Sequence, residues 1–157
     1  MGLRDRLRDV LDRPTALKPG DFAPEVGIAD ATGKHWTLAD LRGKPAVIYF
    51  YPKDDTPGCT KEACAFRDIA LPAQVLGVSM DHPDSHRAFA QKFNLPFPLL
   101  ADVDGEMSRR WGVIGWRGVP RRVTFVVGAD RRISHVFDPV KVEGHAEEIR
   151  KALANSS

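Results

Sequence analysis

The sequence predicts an α/β fold of three layers around a mixed sheet, and three observations predict it. Ala46-Val47-Ile48-Tyr49-Phe50-Tyr51 and Val75-Leu76-Gly77-Val78-Ser79 are nearly continuous runs of strand-forming residues, as in strands covered on both faces of a largely parallel sheet. Helical periodicity separates these runs, which is the βαβ alternation of an α/β domain. Val123–Val127 and Ile133–Phe137 flank Gly128-Ala129-Asp130, a hairpin signature that adds antiparallel strands to the parallel ones.

The elements follow in order. Leu3, Leu7, Val10 and Leu11 recur at helical spacing among Arg and Asp, so residues 3–12 read as an amphipathic helix stopped by Pro14. Its polar face balances both signs of charge, which favours packing on protein over a membrane surface. Val26 to Leu38 carries Ala31-Thr32-Gly33-Lys34 between short alternating segments and predicts a hairpin. Ser85–Phe93 is helical by the Phe89/Phe93 spacing, with Pro96 and Pro98 marking the exit. Phe97–Leu100 predicts a short strand and Asp104–Trp111 a helix. The last helix, His145–Leu153, places Glu147 and Glu148 in its first turn and Arg150 and Lys151 nearer its end, as the helix dipole prefers. No repeat or linker divides the chain, so residues 1–157 are expected to form one domain with an N-terminal extension over 1–17.

Composition narrows the function. With 157 residues and 43% hydrophobic content, the chain is long enough to bury a sizeable core. The 23 basic and 21 acidic side chains nearly cancel, and no Lys/Arg run concentrates the excess, so no nucleic-acid partner is expected. Nothing approaches a bilayer-spanning apolar segment or an export signal, which predicts a cytoplasmic protein without membrane attachment. Two cysteines only five positions apart, in a compartment where structural disulfides are rare, suggest chemistry.

The segment Tyr51-Pro-Lys-Asp-Asp-Thr-Pro-Gly-Cys-Thr-Lys-Glu-Ala-Cys64 leaves a buried strand and becomes helical, which puts Cys59 in the first turn of a helix. Open α/β sheets favour that location for sites. Uncapped N–H groups and the positive end of the dipole favour a thiolate there, and the thiolate is the nucleophile. Five residues of intact helix hold the two α-carbons roughly 8.5 Å apart, whereas a disulfide tolerates at most about 7 Å. That geometry argues against a permanent staple. It favours a cycle in which Cys59 is oxidised, the helix opens, and Cys64 condenses with the sulfenic acid.

The stretch Tyr49–Cys64, read as Tyr-Phe-Tyr-Pro-Lys-Asp-Asp-Thr-Pro-Gly-Cys-Thr-Lys-Glu-Ala-Cys, closely resembles the active-site loop of peroxiredoxins of the Q type, the bacterioferritin comigratory proteins. Phe66-Arg67-Asp68, Val75–Ser79, Phe97–Asp102, Arg122–Val127 and Gly144–Glu148 extend the resemblance over residues 18–153. It implies a thioredoxin-like fold with an N-terminal extension of hairpin plus extra helix. It also implies a thiol peroxidase that reduces hydrogen peroxide and organic hydroperoxides and needs no cofactor or metal. On the matching positions, Cys59 is the peroxidatic and Cys64 the resolving cysteine. Thr56 bonds the thiolate and orients the peroxide, Pro52 shields it, and Arg122 stabilises it. The implied reductant is thioredoxin or a similar dithiol protein, and the expected state is a monomer, with a dimer as the alternative.

Two departures carry expectations. Only six residues separate Asp68 from Val75, and Leu71-Pro72 ends the cysteine-bearing helix early, so that helix is expected to unwind easily. The segment between Trp111 and Arg122 is also shorter than in many relatives. Arg122 is preferred over Arg121 and Arg117 because Arg-Val-Thr-Phe-Val-Val matches the family strand. Trp111, Trp116 and the Phe89/Phe93 pair read as core or pocket wall. His82 and His86, four apart beside Asp81 and Asp84, read as solvent-facing. The competing readings are a redox-responsive binding protein switched by the Cys59–Cys64 disulfide, and a metal module built from Cys59, Cys64, His82 and His86.

Overall fold

Parallel and antiparallel pairing meet on one strand. The computed structural model describes residues 2, 3 and 13–155. In chain order it contains β1 (Ile28–Ala29), β2 (His35–Trp36), β3 (Ala46–Phe50), α1 (Pro57–Ile69), β4 (Gln74–Ser79), α2 (Pro83–Phe93), β5 (Leu99–Ala101), α3 (Glu106–Arg110), β6 (Val123–Val127), β7 (Ile133–Phe137) and α4 (His145–Ala154). The helix expected over residues 3–12 falls, from residue 4 on, outside the described residues.

The main sheet runs β5-β4-β3-β6-β7. β3, β4 and β5 are parallel, while β6 is antiparallel to both β3 and β7. The mixed sheet follows from the connections. β3 and β4 each return through a helix and therefore pair in parallel, whereas β6 and β7 are joined by the short turn read from Gly128-Ala129-Asp130. β1 and β2 form the expected N-terminal hairpin, only two residues to a side.

All five β3 residues are buried, and their alternation divides the core. Ala46, Ile48 and Phe50 face one cluster with Trp36, Met107, Trp111 and Phe125. Val47 and Tyr49 face a second with Cys59, Ala63, Phe66, Phe89 and Ile149. Helices α1, α2 and α4 thus cover one face, and the hairpin and α3 contribute to the other, which is the three-layer arrangement. No described helix is long and apolar enough to cross a membrane.

Local chemistry sets the helix limits. Pro57 and Pro83 stand in the first turns of α1 and α2, where the missing N–H costs nothing. α1 ends at Ile69 with Ala70 in the left-handed region, just before Leu71-Pro72, and α2 ends at a left-handed Asn94.

Candidate active site

The register of one strand pair assembles the site. Phe50 of β3 lies opposite Val123 of β6 in antiparallel pairing. The residue entering β6, Arg122, therefore meets the chain leaving β3 at the edge where α1 begins. This is the carboxyl end of the parallel strands and the point where the strand order switches direction, the position open α/β sheets use for sites.

Thr56 is the N-cap residue of α1, which makes Cys59 the third residue of the helix. No side chain caps this turn, Pro57 has no N–H, and the Thr60 amide already bonds the Thr56 carbonyl at 2.8 Å. The uncapped dipole end therefore faces Cys59, which is only 1% exposed. Arg122 Nη2 donates to Cys59 Sγ at 3.4 Å. Gly58 permits that approach, since a Cβ there would stand 3.1 Å from Nη2.

Arg122 has a second acceptor that sequence reading missed. Its Nη1 donates to Glu62 Oε1 at 2.8 Å, and the Glu62 side chain is 1% exposed. Burial drives the Glu62 carboxyl up to about 7 against the opposing pull of Arg122. Burial also opposes the charge on Arg122, but Glu62 and then Cys59 outweigh it, so the guanidinium holds its proton more firmly than usual. Glu62 Oε2 is buried with no hydrogen-bond partner among the described residues.

Tyr49 lies beneath. Its hydroxyl is buried and unpartnered among the described residues, and burial, reinforced by Glu62 and Cys59, keeps the phenol neutral far above its ordinary range. Gly77, its neighbour across β4, makes the room: a Cβ there would come within 2.9 Å of the Tyr49 oxygen.

The other predicted residues occupy distinct places. Thr56 Oγ1 donates to the Lys53 carbonyl at 2.9 Å, which leaves its lone pairs as acceptors and spends its proton within the loop. Pro52 is half-buried and lines a cavity of about 200 Å³ with Trp116, Val119 and Pro120. Arg121 pairs with Asp138, and Arg117 lies over the Trp116 ring, so Arg122 is the arginine of the three bonded to Cys59. Trp111 is core and Trp116 is pocket wall.

Cys64 is half-buried and Cys59 buried, and both are free thiols. Both stand within the unbroken α1, whose ideal geometry separates their α-carbons by about 8.5 Å.

One reading needs correction. His86 does not face solvent: it is fully buried, with Nδ1 2.7 Å from Asp54 Oδ2 and Nε2 2.9 Å from the Leu100 carbonyl. His82 caps α2 at the surface. Among the described residues the metal-ligating types gather only at Asp54, Asp81 and His86, so the set of Cys59, Cys64, His82 and His86 is not assembled. A signal for His86 was available, since it precedes Phe89 by three residues and shares its apolar face. Glu62 carried a weaker one, standing three residues after Cys59 on the same side of the helix.

The model of the AhpC/TSA family matches residues 19–136. A Coxiella burnetii protein that carries the name peroxiredoxin bcp is 41% identical over 147 residues, covering 85% of this chain and 97% of its own. The chloroplastic peroxiredoxin Q of Gentiana triflora is 39% identical over 148 residues, 89% of this chain and 68% of that one. The crystal structure of peroxidoxin BcpB from Mycobacterium tuberculosis superposes with a TM-score of 0.82 at 34% identity, covering 90% of this chain and 99% of that one.

Proposed function

For a chain that belongs to the AhpC/TSA family, and within it to the thiol-dependent peroxidases named peroxiredoxin Q, we propose that Cys59 is the sulfur that attacks the peroxide and Cys64 the one that resolves it. The observation that carries this reading is the hydrogen bond from Arg122 to Cys59 Sγ at an uncapped helix start. A guanidinium and a dipole end together stabilise negative charge on the sulfur before attack and on the leaving oxygen during it.

The Cys59 thiolate attacks one peroxide oxygen. The S–O bond forms as the O–O bond breaks, and the departing oxygen takes up the proton the thiol gave away, leaving as water or alcohol. Thr56 Oγ1, with its proton committed to Lys53, accepts a hydrogen bond from the peroxide O–H. Pro52 keeps bulk water from the sulfur. The cavity beside Pro52 gives room for the organic part of a hydroperoxide, which supports organic substrates alongside hydrogen peroxide. The first turns of α1 then unwind, and the Cys64 sulfur displaces water from the Cys59 sulfenic acid, forming the S–S bond as the S–O bond breaks. Thioredoxin or a similar dithiol protein supplies the two electrons that restore both thiols. This cycle operates in one domain spanning residues 1–157 of a cytoplasmic monomer and involves no cofactor.

Consumption of hydrogen peroxide with a thioredoxin system, followed beside mass spectrometry of the oxidised chain, tests the scheme. Cys59→Ser is expected to abolish consumption. Cys64→Ser is expected to keep the first oxidation and accumulate sulfenic acid or an intermolecular disulfide. Retained turnover in the first variant, or wild-type recycling in the second, overturns the assignment.

A further inference from the structure

A second buried polar cluster lies next to the site, on the loop between β3 and α1, and the chemistry above does not use it. Asp54 is its hub. Oδ1 accepts from the Tyr51 hydroxyl at 2.5 Å, and Oδ2 accepts from the Ser85 hydroxyl at 2.8 Å and faces His86 Nδ1 at 2.7 Å. Tyr51 is held neutral by burial first, with Tyr49 and Asp54 adding to the effect, so its hydroxyl is a donor. A carboxyl group that receives three side-chain donors is accepting through both oxygens, as an ionised carboxylate does.

His86 faces acceptors on both sides. Asp54 Oδ2 lies at Nδ1, and the Leu100 carbonyl of β5, which can only accept, lies 2.9 Å from Nε2. A neutral imidazole donates from one nitrogen only, and the cationic ring donates from both. The groups around the ring are Asp54 and Tyr51 from the loop, Ser85 from its own helix and the Leu100 carbonyl from β5. Asp81, just past β4, joins from behind by accepting from the Asp54 N–H at 2.8 Å and the Ser79 hydroxyl at 2.6 Å. Among the described residues no other cation is bonded to Asp54, so the ring supplies the charge that offsets this buried carboxylate.

We propose that His86 is an imidazolium whose ion pair with Asp54 is the anchor of the peroxide loop, and that His86 is therefore a positioning residue for the first chemical step. The inference rests on the peroxidase reading and adds to it the fixed end of the moving segment. The segment 51–54 is clamped at both ends, by the Tyr51 and Asp54 side chains and by the backbone N–H groups of the same two residues. Asp55, the next residue, is left-handed, and among the described residues its carboxylate bonds the exposed Lys92 alone. The unwinding that joins the two sulfurs thus begins after Asp54, and Pro52 stays in place while α1 opens. Misplacing a reacting group by about 1 Å can cost on the order of a hundredfold in rate, so losing the anchor acts on peroxide attack and spares resolution.

Nitrogen-15 NMR of the reduced protein at neutral pH reads the ring directly. Protons on both His86 nitrogens are expected, and one bare nitrogen overturns the proposal. Stopped-flow kinetics reads the consequence. Asp54→Leu combined with His86→Phe removes both charges and leaves no buried ion unpaired, which protects folding. In the folded double variant, oxidation of Cys59 by hydrogen peroxide is expected to slow by about tenfold or more, with disulfide formation within about twofold of wild type. An unchanged peroxide step, or equal slowing of both steps, overturns the anchor. A wild-type protein whose Cys59 is inert to hydrogen peroxide overturns the peroxidase reading itself, whereas a reactive wild type with an unaffected variant overturns the anchor alone.

Discussion

Cys59 and Cys64 ride on one helix in unlike surroundings. Cys59 stands in the first turn, 1% exposed, with the Arg122 guanidinium on its sulfur. Cys64 lies a turn and a half on, half-buried, and the cation that feels it is Arg67, which is already bonded to Asp68 and the Phe93 carbonyl. A sulfur that attacks needs fixed charge around it. On the proposed assignment the resolving sulfur needs freedom to arrive, and among the described residues Cys64 is a free, half-buried thiol.

Removing the charge that distinguishes the two sulfurs tests this contrast most strongly. Arg122→Met is expected to slow peroxide attack by about a hundredfold or more while leaving alkylation of Cys64 unaltered. Stopped-flow oxidation and mass-resolved labelling check both halves, and equal effects on the two thiols would erase the distinction. Next in size is the opening of the helix between them. In the reduced protein, amides 60–68 are expected to exchange at least about ten times faster than those of the fully buried β3, measured by native-state hydrogen exchange. Strong protection there would count against easy unwinding.

The smallest effect concerns Glu62, which shares Arg122 with Cys59. Folding raises its carboxyl from an ordinary 4.5 to about 7, so between those values the folded protein holds a proton that the unfolded chain has lost. Stability from this group is present at the acid side and falls as pH rises through about 7. Glu62→Gln is expected to remove that decline, so wild type loses several degrees of Tm relative to the variant between pH 5 and pH 8. Parallel profiles in thermal scans would mean the carboxyl is not held neutral by the fold.

Much of this was legible in the residues. β3, β4, β6 and β7 announced themselves because buried strands carry uninterrupted β-branched and aromatic runs, and Cys59 because Pro57 and Gly58 mark a helix start after such a strand. Arg122 was chosen from three neighbouring arginines because Arg-Val-Thr-Phe-Val-Val matches the family strand, and the pairing of Phe50 with Val123 supplies a physical reason for its position. Glu62, Tyr49 and His86 were not read as polar groups of the interior. Their roles depend on partners 60, 28 and 32 residues away, Arg122, Gly77 and Asp54, and no local pattern encodes which side chain will meet them across the sheet or beside the loop. The shortened link before β4 was visible as Leu71-Pro72, and α1 stops at Ile69 accordingly.

Because β6 runs against β3, the Cys59 sulfur and the Arg122 guanidinium arrive at one rim from stretches of chain 63 residues apart. Neither half of the polypeptide holds both groups, and a partly assembled intermediate lacking the β3–β6 seam has a sulfur without its counter-charge. On the proposed assignment, reactivity toward oxidants is expected to rise when that seam closes, and recovery of turnover during refolding measures it.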